Sequence, residues 1–177
     1  MIETTLDRTA DLSDADRAAV RTLGRAVYPP GELDDWPGLA LEWATPEWCV
    51  RVTDGGALVS YAGLYLRDAT HDGRAVRVGG LGNVKTHPAA RGRGHAGAAA
   101  RRAAAVFAEW GVAFGLLVCE PELLAYYARF GWEPFAGRLV VRQRGTAAAF
   151  TLCPAMTLGV GAAAPAAGII DLCGPPW

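Results

Sequence analysis

The chain of 177 residues contains no uninterrupted apolar run of the roughly 18 residues that a membrane-spanning helix requires. Its four cysteines, Cys49, Cys119, Cys153 and Cys173, are far apart and include no C-x-x-C pair. That spacing argues against a disulfide framework and against zinc, so no metal is expected. The opening residues, Met1 to Asp7, lack the basic and then apolar layout of a secretory leader, and a reducing cytoplasm is the expected compartment. Charged residues make up only 20% of the chain against 51% apolar. This balance excludes a disordered chain and fits a soluble domain with its own core. No internal repeat is present.

Acids are missing from one long window. None occurs between Asp72 and Glu109, where Arg74, Arg77, Lys85, Arg91, Arg93, Arg101 and Arg102 give a local charge of +7. Met1 to Asp54 has the opposite balance, eleven acids against five arginines, or −6, although the whole chain carries only −1. Either a polyanion is held mid-chain and a cationic ligand faces the first third, or these are two solvated faces of opposite sign. A basic window confined around one turn, in a slightly acidic chain, disfavours nucleic acid.

The element pattern is mixed. A short strand is expected over Ile2–Leu6, then a helix capped by Ser13 and running to about Val27, where Pro29-Pro30-Gly31 stops it. A second short helix is expected around Leu33–Leu41. Trp48–Val52 and Ala57–Tyr65 read as a hairpin around Asp54-Gly55-Gly56, followed by a strand over Ala75–Thr86. Helical spacing of Ala96, Ala99, Ala100, Ala103, Val106, Phe107 and Trp110 places a helix from Gly94 to Trp110. Val112–Cys119 reads as a buried strand. Pro121 opens a helix carrying Leu123, Leu124, Tyr127 and Phe130, and Arg138–Arg142 and Phe150–Leu158 are closing strands. One domain is thus expected over residues 1–158, and Gly/Ala-rich 159–168 predicts a flexible linker before a tail ending at residue 177 that packs near an acceptor site.

The strongest local signal is the strand-turn-helix Val84-Lys85-Thr86-His87-Pro88-Ala89-Ala90-Arg91-Gly92-Arg93-Gly94-His95-Ala96. No Ser, Thr, Asp or Asn caps the helix start, so its first N–H groups lack a side-chain acceptor. Gly92 and Gly94 let the backbone curl around a ligand, the helix dipole adds partial positive charge, and Arg91 and Arg93 add whole charges. A pyrophosphate fits such a turn. Gly92, Gly94 and Gly97 also spell G-x-G-x-x-G, but five residues separate them from the strand, unlike a dinucleotide fingerprint.

Arg91-x-x-Gly94-x-Ala96 resembles the Q/R-x-x-G-x-G/A motif of the GNAT superfamily of N-acetyltransferases, and Tyr127-Ala128-Arg129-Phe130-Gly131-Trp132 is similar to its Y-x-x-x-G-F/W segment. The resemblance implies an α/β (α+β) fold with a mixed, mostly antiparallel central sheet flanked by helices, and acetyl-CoA as cosubstrate. It implies that backbone groups of Val84, Lys85 and Thr86 pair with pantetheine, that Arg91, Gly92, Arg93, Gly94, His95 and Ala96 hold the pyrophosphate, and that Tyr127 is the general acid. On its apolar helix face Tyr127 is otherwise a core residue. Relatives often carry a glutamate base on the central strand, yet Gly79-Gly80-Leu81-Gly82-Asn83 has none. Glu120 is then the leading base, His87 the second, and Cys119 either a nucleophile or a buried thiol.

The acceptor expected from the acidic first third is a primary amine of a small molecule. Asp34, Asp35 and Trp36 suit an amino sugar, and they, with the tail residue Trp177, resemble aminoglycoside 2′-N-acetyltransferases. Arg142-Gln143-Arg144 replaces an acidic loop of that group, which favours a weakly charged aminoglycoside such as kasugamycin. A metabolic amine, a protein N-terminus, or a non-catalytic acyl-CoA sensor are the other readings. Many relatives form homodimers, which the resemblance allows here.

Overall fold

The computed structural model describes residues 1–177. Strand β1 (Ile2–Arg8) leads to helix α1 (Asp14–Val27), whose start is a full capping box. The Ser13 hydroxyl accepts from the Asp16 N–H at 3.1 Å, and Asp16 accepts from the Ser13 N–H at 3.3 Å. Strands β2 (Trp48–Asp54), β3 (Ala57–His71) and β4 (Arg74–Thr86) form the antiparallel block that the hairpin signals predict. Helix α2 (His95–Glu109), strand β5 (Phe114–Val118) and the short helix α3 (Leu124–Ala128) follow. The remainder is β6 (Trp132–Pro134), β7 (Arg138–Gln143), β8 (Thr146–Ala149), β9 (Ala155–Gly159) and β10 (Ile169–Asp171).

All ten strands join one sheet, ordered β6-β9-β5-β4-β3-β10-β7-β8, with β2 and then β1 added beside the first half of β3. Only β4–β5 and β7–β10 are parallel, so the sheet is mixed and mostly antiparallel, as expected. Alternation along β4 sorts the core into two layers. Leu81 faces α2 with Val106 and Phe107, whereas Val78 faces the opposite side with Tyr65, Leu116 and Trp177. Alanines 99, 100 and 103 keep α2 close to the strands, and the Phe107 ring lies where a Cβ on Gly79 would stand, 2.4 Å away. α1 covers a smaller cluster of Leu12, Leu23, Cys49 and Tyr61. Burial of each large apolar side chain contributes about 1.5–3 kcal/mol.

Three expectations need correction. The second helix, expected around Leu33–Leu41, is only a 3-10 turn over Pro37–Ala40, because Pro37 withholds an N–H. The closing strand expected over Phe150–Leu158 begins only at Ala155, as β9, since Pro154 cannot donate to a ladder, and an unexpected strand, β8, precedes it over Thr146–Ala149. Of residues 159–177, expected as a flexible linker and tail, Ile169–Asp171 enter the sheet as β10, and 160–168 form an exposed to half-buried connection to it. β10 pairs antiparallel with β3 and parallel with β7, and Thr157 Oγ1 donates to the Pro165 carbonyl at 2.9 Å across the connection. No helix is long and apolar enough to cross a membrane.

Candidate active site

Pairing between β4 and β5 begins at Val78↔Phe114 and ends at Gly80↔Leu116. Beyond that point the two strands part, and the β5-facing edge of β4 is left without a strand partner. Two residues on, β4 carries an extra residue opposite β3. The register jumps from Gly63↔Gly82 to Tyr61↔Lys85, with Asn83 at a φ of +53°. Such a bulge re-aims backbone groups beside a site. Val84 and Thr86, just past it, line a cavity of about 840 Å³.

The glycine-rich turn forms one wall of this cavity. Gly92 and Gly94 adopt positive φ, +77° and +84°, a region that L side chains enter at a cost of roughly 1–2 kcal/mol. Gly94 is the N-cap of α2 and no side chain caps the helix, so the N–H groups of its first turn have no side-chain acceptor, as expected. Arg91, Gly92, Gly94 and Ala96 line the cavity, and Arg91 Nε donates to the Thr86 carbonyl at 3.4 Å. The His95 ring is turned inward, 3% exposed and with both nitrogens unpartnered, so its contribution to the turn is through the backbone. Lys85 points away toward α1. Its Nζ is 6.0 Å from the Tyr28 ring centroid, and burial lowers the affinity of its amine for a proton.

Tyr127 lies on the other wall, carried by α3, with its ring 7% exposed and edge-on to Tyr126 at 5.2 Å. Burial pushes its hydroxyl well above the ordinary phenol range, with the neighbouring Cys119 adding to the effect, so the phenol is protonated at neutral pH. Tyr127 is thus both a core residue and a cavity residue. Tyr28, Glu32, Leu33, Arg101, Tyr126, Arg129 and Phe130, none of them a candidate site residue from the sequence, also line the cavity.

Other expected site residues lie elsewhere. Glu120 is exposed, off the cavity wall, beside Cys119 and Cys153. His87 Nδ1 accepts from the Ala89 N–H at 3.2 Å, capping a 3-10 turn. Burial pushes the Cys119 thiol up to about 11, so it is a neutral thiol at pH 7 rather than a nucleophile. Asp34 and Asp35 are exposed in the loop after α1, next to Glu32, which is the carboxylate that reaches the cavity. Trp36 stacks on Trp43 at 5.5 Å and does not line the cavity. Trp177 is buried on the side of β4 away from α2, stacked on Tyr65 at 5.2 Å. Arg142, read as unfavourable to a cationic acceptor, is neutralised by Asp171 through bonds of 3.0 and 2.9 Å.

Both the sequence and the fold match known proteins. The sequence profile of the acetyltransferase (GNAT) domain matches residues 14–135, so the chain belongs to the GNAT acetyltransferase family. No curated protein matches the sequence. Among solved structures, Escherichia coli ElaA is 19% identical, with a TM-score of 0.60 over 89% of this chain and 99% of its own. A GNAT family acetyltransferase from Brucella melitensis, solved in complex with acetyl-CoA, is 18% identical with a TM-score of 0.58, covering 95% and 94%. A ribosomal-protein alanine N-acetyltransferase from Escherichia coli is 17% identical, with a TM-score of 0.55 over 92% and 96%. These likenesses share the fold. The protein is an acetyl-CoA-dependent N-acetyltransferase, and no group of side chains in it is arranged to hold a metal.

Proposed function

We propose that the protein acetylates a primary amine of a small cationic molecule, with an aminoglycoside-type antibiotic, kasugamycin first, as the leading acceptor. The observation that carries this reading is Glu32, the only carboxylate on the wall of the cavity that also holds Tyr127 and the glycine-rich turn. Exposed Asp34 and Asp35 follow it in the same loop and would add to the attraction of a cation. Arg142 does not oppose it, since Asp171 already neutralises that charge.

In the proposed reaction, pantetheine lies along the free edge of β4 near Val84–Thr86, and the pyrophosphate sits on the Arg91–Ala96 turn. The neutral amine attacks the thioester carbonyl, forming the C–N bond, and backbone N–H groups near the Asn83 bulge face the developing oxyanion. As the C–S bond breaks, the Tyr127 hydroxyl gives its proton to the sulfur. The tyrosinate is reprotonated by the proton that the nitrogen loses on becoming an amide.

The test is mass spectrometry of amines incubated with protein and acetyl-CoA: kasugamycin, several 2′-amino aminoglycosides, polyamines and N-terminal peptides. A mass gain of one acetyl group on an aminoglycoside supports the reading. Acetylation of peptides alone would move the acceptor to a protein N-terminus, the chemistry in the name of the Escherichia coli ribosomal-protein enzyme. Acetyl-CoA binding without any acetylated product would favour a sensor.

A further inference from the structure

The cavity holds more positive charge than a pyrophosphate turn uses. Besides Arg91, both Arg101 and Arg129 line it, and neither takes part in an ion pair; the paired arginines are 17, 51, 77, 102 and 142. The two come from different elements and meet at one ring. Arg101 lies six residues into α2, about 9 Å along its axis from the turn, and helical side chains tilt back toward the N-terminus. Its Cζ stands 5.6 Å from the centroid of Phe130. Arg129, just past α3, has its Cζ 5.8 Å from Phe130 and 4.8 Å from Tyr126, and its Nε donates to the Tyr126 carbonyl at 3.4 Å.

Phe130 reaches α2 because position 97 is glycine. A Cβ there would stand 2.8 Å from Phe130 Cζ and 3.5 Å from Arg101 Nη1. The ring therefore gathers two guanidinium groups against the same cavity. Like charges so placed repel each other unless an anion lies between them. The only carboxylate on the cavity wall, Glu32, belongs to the loop after α1 and pairs with neither. Coenzyme A carries two separate anionic groups, the pyrophosphate and a phosphate on the ribose 3′-oxygen. The turn supplies backbone donors and Arg91 for the first.

We propose that Arg101 and Arg129, held on Phe130 and Tyr126, form a subsite for the 3′-phosphate of coenzyme A. Their N–H groups make charge-assisted hydrogen bonds to its oxygens. The subsite lets the enzyme discriminate acetyl-CoA from acetyl-dephospho-CoA, which lacks only that phosphate. This rests on the reading that the neighbouring turn takes the pyrophosphate.

Calorimetric titration of the full chain with acetyl-CoA and with acetyl-dephospho-CoA tests it without any acceptor. The unaltered protein is expected to bind acetyl-CoA about tenfold more tightly or better. Arg101→Gln and Arg129→Gln should each weaken acetyl-CoA several-fold and leave acetyl-dephospho-CoA unchanged, and the double variant should bind the two alike. Both side chains are exposed, so melting temperatures should hold. Equal binding of the two cofactors by the unaltered protein would overturn the subsite and leave the turn standing. Variants that weaken both cofactors equally would also overturn it, because the arginines would then be acting on the shape of the cavity. Binding of neither cofactor would overturn the subsite and the pyrophosphate reading together.

Discussion

The Trp177 indole N–H donates to the carbonyl of Leu116 at 3.2 Å, at the residue where pairing between β4 and β5 ends. A buried carbonyl at the parting of two strands needs a donor, and the indole supplies it. Trp177 occupies space left by two glycines of β4. A Cβ on Gly80 would stand 2.4 Å from its ring, and one on Gly82 3.0 Å from its backbone carbon. Gly80→Ala should therefore destabilise the protein by about 1–3 kcal/mol through overpacking. Trp177→Ala should cost about 3–5 kcal/mol. On the Trp177→Ala background, Gly80→Ala should cost little. Urea unfolding of the four proteins measures the coupling, and additive losses would contradict the contact.

Tyr127→Phe keeps the buried ring and removes the proton donor. Turnover should fall by about 100-fold or more, while acetyl-CoA affinity stays within about twofold. Stopped-turnover kinetics beside calorimetry separates the two effects. An unchanged turnover number would place the proton donor elsewhere, and a lost affinity would make Tyr127 a binding residue.

The features readable from sequence were those whose causes are local. Ser13 with Asp16 three residues on is a helix start in any context, and Gly92, Gly94 and the absent cap define a left-handed turn into an uncapped helix without reference to the rest of the fold. The features that escaped depend on distant partners. β10 is three residues long and exists only because β3 and β7 flank it, so Gly159–Gly168 looked like a linker. Trp177 reads as a tail residue packing near an acceptor site until Gly80, Gly82 and Tyr65 are seen to enclose it. Arg101 and Arg129 lay in view as basic residues, but their convergence depends on Phe130 packing over Gly97. Glu120 ends a strand at a plausible place in the chain, yet the direction of a side chain at a strand end is set by the next turn.

Gly94→Ala tests the turn. The φ of +84° at the N-cap strains any Cβ, although no atom lies within 4 Å of one. The expected loss is about 1–2 kcal/mol of stability if the backbone holds its shape. If it relaxes instead, the N–H groups of the first turn rotate, and acetyl-CoA affinity should drop by about tenfold or more. Thermal melts and cofactor titration together should register one loss or the other. A variant with neither would show that the left-handed N-cap is unimportant to the site.

Arg51 joins β1, α1 and β2 by bonding Asp7 at 2.9 Å and also contacting Asp16. The hydrogen bond from Arg51 is the main cause that holds the Asp7 carboxyl below its ordinary range, against the opposing effect of burial. For Asp16 the hydrogen bond from Ser13 comes first and the charge of Arg51 adds to it. A carboxylate with a lowered folded-state pKa binds fewer protons when folded than when unfolded. Its contribution to stability is complete above the unfolded value, about 3.9, and is lost as pH falls through the folded value. Arg51→Met removes the partner from both acids. Its stability deficit against the unaltered protein should be constant from pH 7 down to about 5, then shrink as the medium approaches pH 2. Urea midpoints across that range give the comparison, and a deficit that stays constant to the acid end would show that the Arg51 ion pairs do not shift these carboxylates.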